Sequence, residues 1–129
     1  MKLLEGFKVL VVDDDEMLRE MIAYVFKRNG AHVLEAENGT TAFDLVQKNN
    51  FDVVFSDVRM PGGDGIELAE NISKLSGKRP LVFICTGFSD LTPEKAKELS
   101  VSEIFEKPFD HSLMIEKIAV YLKTAIKKA

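Results

Sequence analysis

Five short apolar runs, each followed by a longer segment of helical period, succeed one another along the chain without a linker, a repeat or a low-complexity stretch. Such alternation predicts an α/β fold with a parallel sheet covered by helices, because a strand that returns in the same direction needs a long crossover. The runs read as strands over 8–12, 32–36, 52–56, 81–85 and 102–106. The first, third and fourth are almost wholly apolar and suit strands buried on both faces. The second and fifth carry Glu35, Glu103 and Glu106 and belong at the edges. Right-handed crossovers with five alternating helices on both faces give the order 2-1-3-4-5. Winding then reverses between strands one and three, and ligands of such sheets bind there, beyond the carboxyl ends of the strands.

The helical segments carry their own boundaries. The first, about 16–29, places Leu18, Ile22, Val25 and Phe26 on one stripe, and Gly30 supplies the stop. A second runs through Ala42, Phe43, Leu45 and Val46. The third begins at Asp64, an N-cap with Glu67 three residues on. Thr92-Pro93 starts a short fourth helix that runs out by Ser100, and a fifth begins near Asp110 and ends in Lys127 and Lys128, which suit the negative end of a helix dipole.

At 129 residues, with 46% hydrophobic and 29% charged side chains, the sequence has the material for one core, and 1–129 is read as a single domain. The net charge of −4 comes without any basic run, which excludes a direct nucleic-acid surface. The longest uncharged stretch, 80–89, falls far short of the roughly 18 residues of a spanning helix, so membrane insertion is not expected. The single Cys85 cannot form an internal disulfide and suits a reducing, cytoplasmic setting.

The first strand ends in Asp13-Asp14-Asp15 and the third in Asp57, and the inferred sheet makes these neighbours although Asp13 and Asp57 are 44 positions apart. At an effective dielectric of about 20, two charges roughly 5 Å apart repel by about 3 kcal/mol, so three such contacts cost on the order of 10 kcal/mol before relaxation. Something positive must offset that. A hard divalent cation fits, and Mg²⁺, with Mn²⁺ as a substitute, suits a few carboxylates that leave room for water and phosphate. The alternating ligands and central glycine of an EF-hand loop are missing, which disfavours Ca²⁺. Thr86-Gly87 brings a hydroxyl and a sterically open amide to the same rim, and Lys107 brings a fixed cation. Pro108 raises the chance of a cis bond that aims this lysine inward. Acids, hydroxyl and lysine together describe a phosphoryl-transfer site with a carboxylate nucleophile.

These elements, Val11-Val12-Asp13-Asp14, Asp57 followed by Met60-Pro61 and Asp64-Gly65, Thr86-Gly87 and Lys107-Pro108-Phe109, resemble the response-regulator receiver domains of two-component signalling over nearly the whole chain. The resemblance implies a flavodoxin-like, CheY-like fold. It implies that Asp57 is the phosphoacceptor, that Asp14 and Asp57 bind Mg²⁺ with the backbone carbonyl of Arg59, and that Asp13 assists through water. Thr86, with Gly87, would bind the phosphoryl group, and Lys107 would be its counter-charge. The donor would be a histidine kinase or a histidine phosphotransfer protein. The output would pass from helix four, strand five and helix five, in the region of Phe88, Ile104 and Phe105, to a downstream effector protein or a tethered output domain, or to a second phosphorylated copy. Taken as a complete product, 1–129 leaves no length for an output domain, so a bound partner is expected. Ile104 stands where the family often carries a switching aromatic, and the adjacent Phe105 points to the opposite face. The chain would catalyse its own phosphorylation and dephosphorylation without being a turnover enzyme.

Asp15 and Glu16 read as first-turn helix acids rather than ligands. His32 and His111 have no companion at metal-ligand spacing and read as surface or helix-start residues. Met17 and Met21 exceed what a core stripe requires, and the start of the first helix is therefore expected to dock the phosphodonor. Two rivals remain: a constitutive interaction module that is never phosphorylated, and an aspartyl-nucleophile phosphohydrolase. The second commonly has Asp-x-Asp at its nucleophile, whereas Val58 and Arg59 follow Asp57.

Overall fold

A computed structural model describes residues 2–58, 60–62, 64–87 and 92–128. Strands β1 (Lys8–Val12), β2 (His32–Ala36), β3 (Val53–Asp57), β4 (Leu81–Thr86) and β5 (Val101–Glu106) alternate with helices α1 (Glu16–Arg28), α2 (Gly39–Lys48), α3 (Gly65–Ser73), α4 (Pro93–Glu98) and α5 (His111–Lys128). All neighbouring strands run parallel in the order β2-β1-β3-β4-β5. Order, edges and element count agree with the sequence reading.

Two boundaries shift in a way that bears on chemistry. Asp57 and Thr86 are the last residues of β3 and β4, and they stay in register with Cys85 and Glu106 of the next strands. Their side chains therefore leave from a hydrogen-bonded ladder. β5 also begins one residue earlier, at Val101, with an irregularity that leaves Ser102 unpaired between the pairs Val82–Val101 and Phe83–Glu103. That extra residue reverses the facing of what precedes it. Val101 accordingly lies on the same side as Ile104, while Phe105 lies on the other.

Alternation along the strands builds two cores. Leu10, Val12, Val54, Val82 and Ile84 face α2, α3 and α4, whereas Val9, Val11, Phe55, Phe83 and Cys85 face α1 and α5. The expected starts at Asp64 and Thr92 are seen as caps on the Glu67 and Lys95 N–H groups, while Asp15, read as a first-turn acid, caps α1 on Leu18 N–H and Asn38, not singled out in the sequence, caps α2 on Thr41 N–H. Asp15 is thus the cap of α1 and Glu16 its first residue. Gly30 ends the α1 turn at φ +93°, where a Cβ would also sit 2.9 Å from the Glu5 Cα, so glycine is required on two counts. Among the described residues no helix is long and apolar enough to cross a membrane.

Candidate functional site

The carboxyl ends of four strands meet at the point where the winding reverses. Asp13 and Asp14 leave β1, Asp57 ends β3, Thr86 ends β4 with Gly87 next, and Lys107 follows β5. One carboxylate oxygen from each of Asp13, Asp14 and Asp57 lies within 4.8 Å of the others. Ligands of an octahedral Mg²⁺ at 2.0–2.1 Å sit roughly 3–4 Å apart, so the three acids fit one hard cation with small side-chain adjustments.

The acids are not equivalent. Asp13 is buried, 4% exposed, and its Oδ1 accepts a 2.9 Å hydrogen bond from the Asp15 N–H. Burial holds its carboxyl above the ordinary aspartate range against that hydrogen bond, and the negative charge of Asp57 adds to the effect. Asp14 is exposed at the rim. Asp57 is half-buried, with Oδ1 accepting from the Val58 N–H at 2.9 Å and Oδ2 lying 3.4 Å from Lys107 Nζ. Of the three, Asp57 alone has an oxygen directed at the lysine among the described contacts. Burial works against the Lys107 charge, but Cys85, Asp57 and Asp13 beside it outweigh that and raise the ammonium above the usual lysine range. Lys107 is therefore a fixed cation at neutral pH.

Thr86 is buried and its carbonyl accepts from the Lys107 N–H at 2.8 Å, which ties the β4 and β5 ends together. Gly87 is exposed, and a Cβ there would meet nothing within 4 Å. The Lys107–Pro108 peptide is cis. Arg59 and Phe88 lie outside the described residues. The reading of Phe105 as part of an output surface is corrected: it is only 7% exposed and packs on Phe55, Phe83 and Phe109, since strand alternation turns it into the α1/α5 core. Ile104, half-buried, is on the α4 side. His32 is exposed and His111 opens α5 beside Phe109, and neither joins the cluster of acids.

The contacts by which four residues shape the site are not apparent from the motifs. The loop after Asp57 is closed by Gly65, whose N–H donates to the Val58 carbonyl at 2.8 Å, and is held laterally by Thr40 Oγ1, which donates to the Gly62 carbonyl at 2.9 Å. Arg19 reaches back from α1 to the Asp13 carbonyl. Cys85 lies beneath the acids, 1% exposed, and burial, helped by the charge of Asp57, pushes its thiol up to about 12. It is expected to resist alkylation in the native chain at pH 8 and to react at the rate of a free thiol once urea unfolds the protein. Because the native state disfavours the thiolate, stability should also fall as pH rises from the ordinary 9.0 toward about 12. Equal alkylation rates with and without urea would contradict the buried placement.

A family model described as the response regulator receiver domain matches residues 9–119. The chain is 34% identical over 116 residues to sporulation initiation phosphotransferase F of Bacillus subtilis (strain 168), covering 89% of this chain and 93% of that protein. It is 35% identical over 121 residues to a cyclic di-GMP phosphodiesterase of Thermotoga maritima, but spans only 32% of that longer protein. Among solved structures, a CheY-like receiver domain protein from Methanospirillum hungatei JF-1 has a TM-score of 0.86 over 95% of this chain and 98% of its own, at 21% identity, a likeness of fold.

Proposed function

The chain belongs to the response regulator receiver domain family of two-component signalling, and from that premise we propose that it accepts a phosphoryl group on Asp57 in a Mg²⁺-dependent reaction and passes the change to a partner. Receiver domains of this kind are signalling phosphoacceptors. The observation that carries the assignment to Asp57 is its placement between the acid cluster and Lys107, with Oδ2 3.4 Å from the ammonium.

Asp13, Asp14 and Asp57 would hold Mg²⁺, with Mn²⁺ as a substitute, and the Arg59 carbonyl is proposed as a further ligand on family resemblance. When bound, the ion supplies charge neutralisation to the acids and the phosphoryl oxygens. The remaining work falls to the chain. The Val58 N–H fixes one Asp57 oxygen and orients the carboxylate. An Asp57 oxygen forms the new bond to phosphorus as the donor's phosphorus–nitrogen bond breaks and histidine leaves. Lys107 offsets charge on the phosphoryl oxygens, and Thr86 with the Gly87 amide donates to them. The product carries roughly −1.5 to −2 charges in an already acidic crevice. Because the Lys107 amide is bonded to the Thr86 carbonyl, movement of one strand end is communicated to the other. The α4–β5–α5 face is the proposed output, toward an effector protein, a tethered output domain or a second copy.

Residues 1–129 are read as one receiver unit, in a reducing cytoplasm that suits the free thiol of Cys85. The phosphodonor, a histidine kinase or phosphotransfer protein, is proposed to dock on the start of α1. There Met17 is 82% exposed, with Leu18, Met21 and Tyr24 also presented to solvent. Met17→Glu should slow transfer from a phosphohistidine donor by about tenfold, by loss of a central apolar contact, while labelling by acetyl phosphate stays at the wild-type rate; parallel loss of both would show that the docking assignment is wrong.

The decisive experiment is incubation with acetyl phosphate and Mg²⁺ followed by peptide mass mapping. One added phosphoryl group on Asp57, lost when Mg²⁺ is chelated, is the expected result. Label on another residue, or none, overturns the assignment and favours a constitutive interaction module.

A further inference from the structure

Arg19 is the only basic residue between Val9 and Phe26, a segment that carries the four consecutive acids Asp13, Asp14, Asp15 and Glu16. It does not pair with any of those carboxylates. Its Nε donates to Glu35 Oε1 at 3.1 Å, and its Nη1 donates to the backbone carbonyl of Asp13 at 2.9 Å. Arg19 and Glu35 are mostly withdrawn from solvent, with 16% and 30% of their side chains exposed. The peptide unit on the other side of Asp13 is fixed as well, since the Asp13 N–H donates to the Ala36 carbonyl at 3.1 Å.

The carbonyl that Arg19 holds belongs to the peptide joining Asp13 to Asp14. Rotation of that unit would swing both carboxylates relative to Asp57 on the neighbouring strand. Glu35, near the end of β2, anchors the guanidinium from the edge of the sheet, so α1, the β1–α1 loop and β2 are locked at one point. The fork geometry of arginine allows two acceptors in different directions to be held at once.

We propose that Arg19, anchored by Glu35, is a positioning residue that holds the Asp13–Asp14 peptide in the orientation where both carboxylates converge with Asp57 on the cation. This rests on the reading of the three acids as the Mg²⁺ site. The proposal has a sign that charge alone does not. A guanidinium near a cation site repels the cation, so a purely electrostatic role predicts tighter Mg²⁺ binding when Arg19 is neutralised. A positioning role predicts weaker binding.

The test is Mg²⁺ titration of the full chain by calorimetry, with the backbone amide of Asp15 followed by NMR, because that N–H donates to Asp13 Oδ1. Arg19→Gln should weaken Mg²⁺ about tenfold, the usual scale for partners that orient metal ligands, and should shift the Asp15 amide resonance before any metal is added. Glu35→Gln keeps an oxygen for Nε and should change affinity by less than about threefold, while Glu35→Ala should weaken it by about threefold or more. Arg19→Gln that binds Mg²⁺ as tightly as wild type, or more tightly, overturns the proposal. If that variant does not fold, unchanged affinity in Glu35→Ala overturns it. Wild-type protein that shows no saturable Mg²⁺ binding overturns the metal reading itself and the proposal with it, an outcome distinct from a wild type that binds and a variant that matches it.

Discussion

Asp57→Asn is expected to remain folded and to take no phosphoryl group, with labelling by acetyl phosphate reduced at least about 1000-fold, the scale expected when the nucleophile itself is removed. Asparagine keeps the shape of the side chain and an oxygen that can accept from the Val58 N–H, as Oδ1 does at 2.9 Å. It lacks the second anionic oxygen, the one 3.4 Å from Lys107. Two electrostatic changes then oppose each other in the fold. The Lys107 pair is lost, but so is the repulsion that Asp57 exerts on the buried Asp13. Part-exposed ion pairs contribute about 1 kcal/mol or less, so stability should stay within about 1 kcal/mol of wild type. Mg²⁺ affinity should fall, because one of the three converging carboxylates is gone. Labelling of the variant at the wild-type rate would remove Asp57 from the mechanism.

How much of this was readable from the sequence depended on whether a residue's partner lies near it in the chain. The strand order followed from Glu35, Glu103 and Glu106 marking the edge runs, and the observed order agrees. Two helix starts followed from caps whose partners are three residues on, Asp64 with the Glu67 N–H and Thr92 with the Lys95 N–H. The acid cluster was legible because parallel strands bring their carboxyl ends to one edge whatever the intervening length. Arg19 was not. Its partner Glu35 is 16 residues away on an edge strand, and only its isolation as a lone base in an acidic stretch marked it. The bulge at Ser102, which lets Val101 and Phe105 face opposite cores, has no residue signature either. Gly65 was legible only as part of an Asp-Gly motif, and its physical reason requires the coordinates.

Gly65→Ala should be the most damaging single-methyl change near the site. Gly65 is not held there by backbone conformation, since its φ is not among the positive ones. Alanine would even gain up to about 1 kcal/mol of helix propensity at the start of α3. What forbids it is space. A Cβ would lie 2.2 Å from the Asp57 carbonyl oxygen and 3.2 Å from Ser56 Oγ, and the first of these is backbone at the end of a hydrogen-bonded strand. Relief requires either the Gly65 N–H to leave the Val58 carbonyl, to which it donates at 2.8 Å, or the 57–58 peptide to turn. The second route moves the very N–H that orients Asp57 Oδ1. Overpacking costs about 1–3 kcal/mol and a lost hydrogen bond about 1 kcal/mol, which exceeds the propensity gain. A net loss of about 2 kcal/mol lowers the melting temperature of a chain this size by roughly 7 °C. Labelling by acetyl phosphate should drop about tenfold as the nucleophile turns from its attack geometry. Gly87→Ala is the matched control: its Cβ would enter open space, and stability should change by less than about 0.5 kcal/mol. Thermal unfolding of the two variants, with the labelling rate of Gly65→Ala set against wild type, separates a steric requirement at Gly65 from a general intolerance of the loops. A Gly65→Ala chain as stable and as readily labelled as wild type would show that the β3–α3 loop yields without moving Asp57.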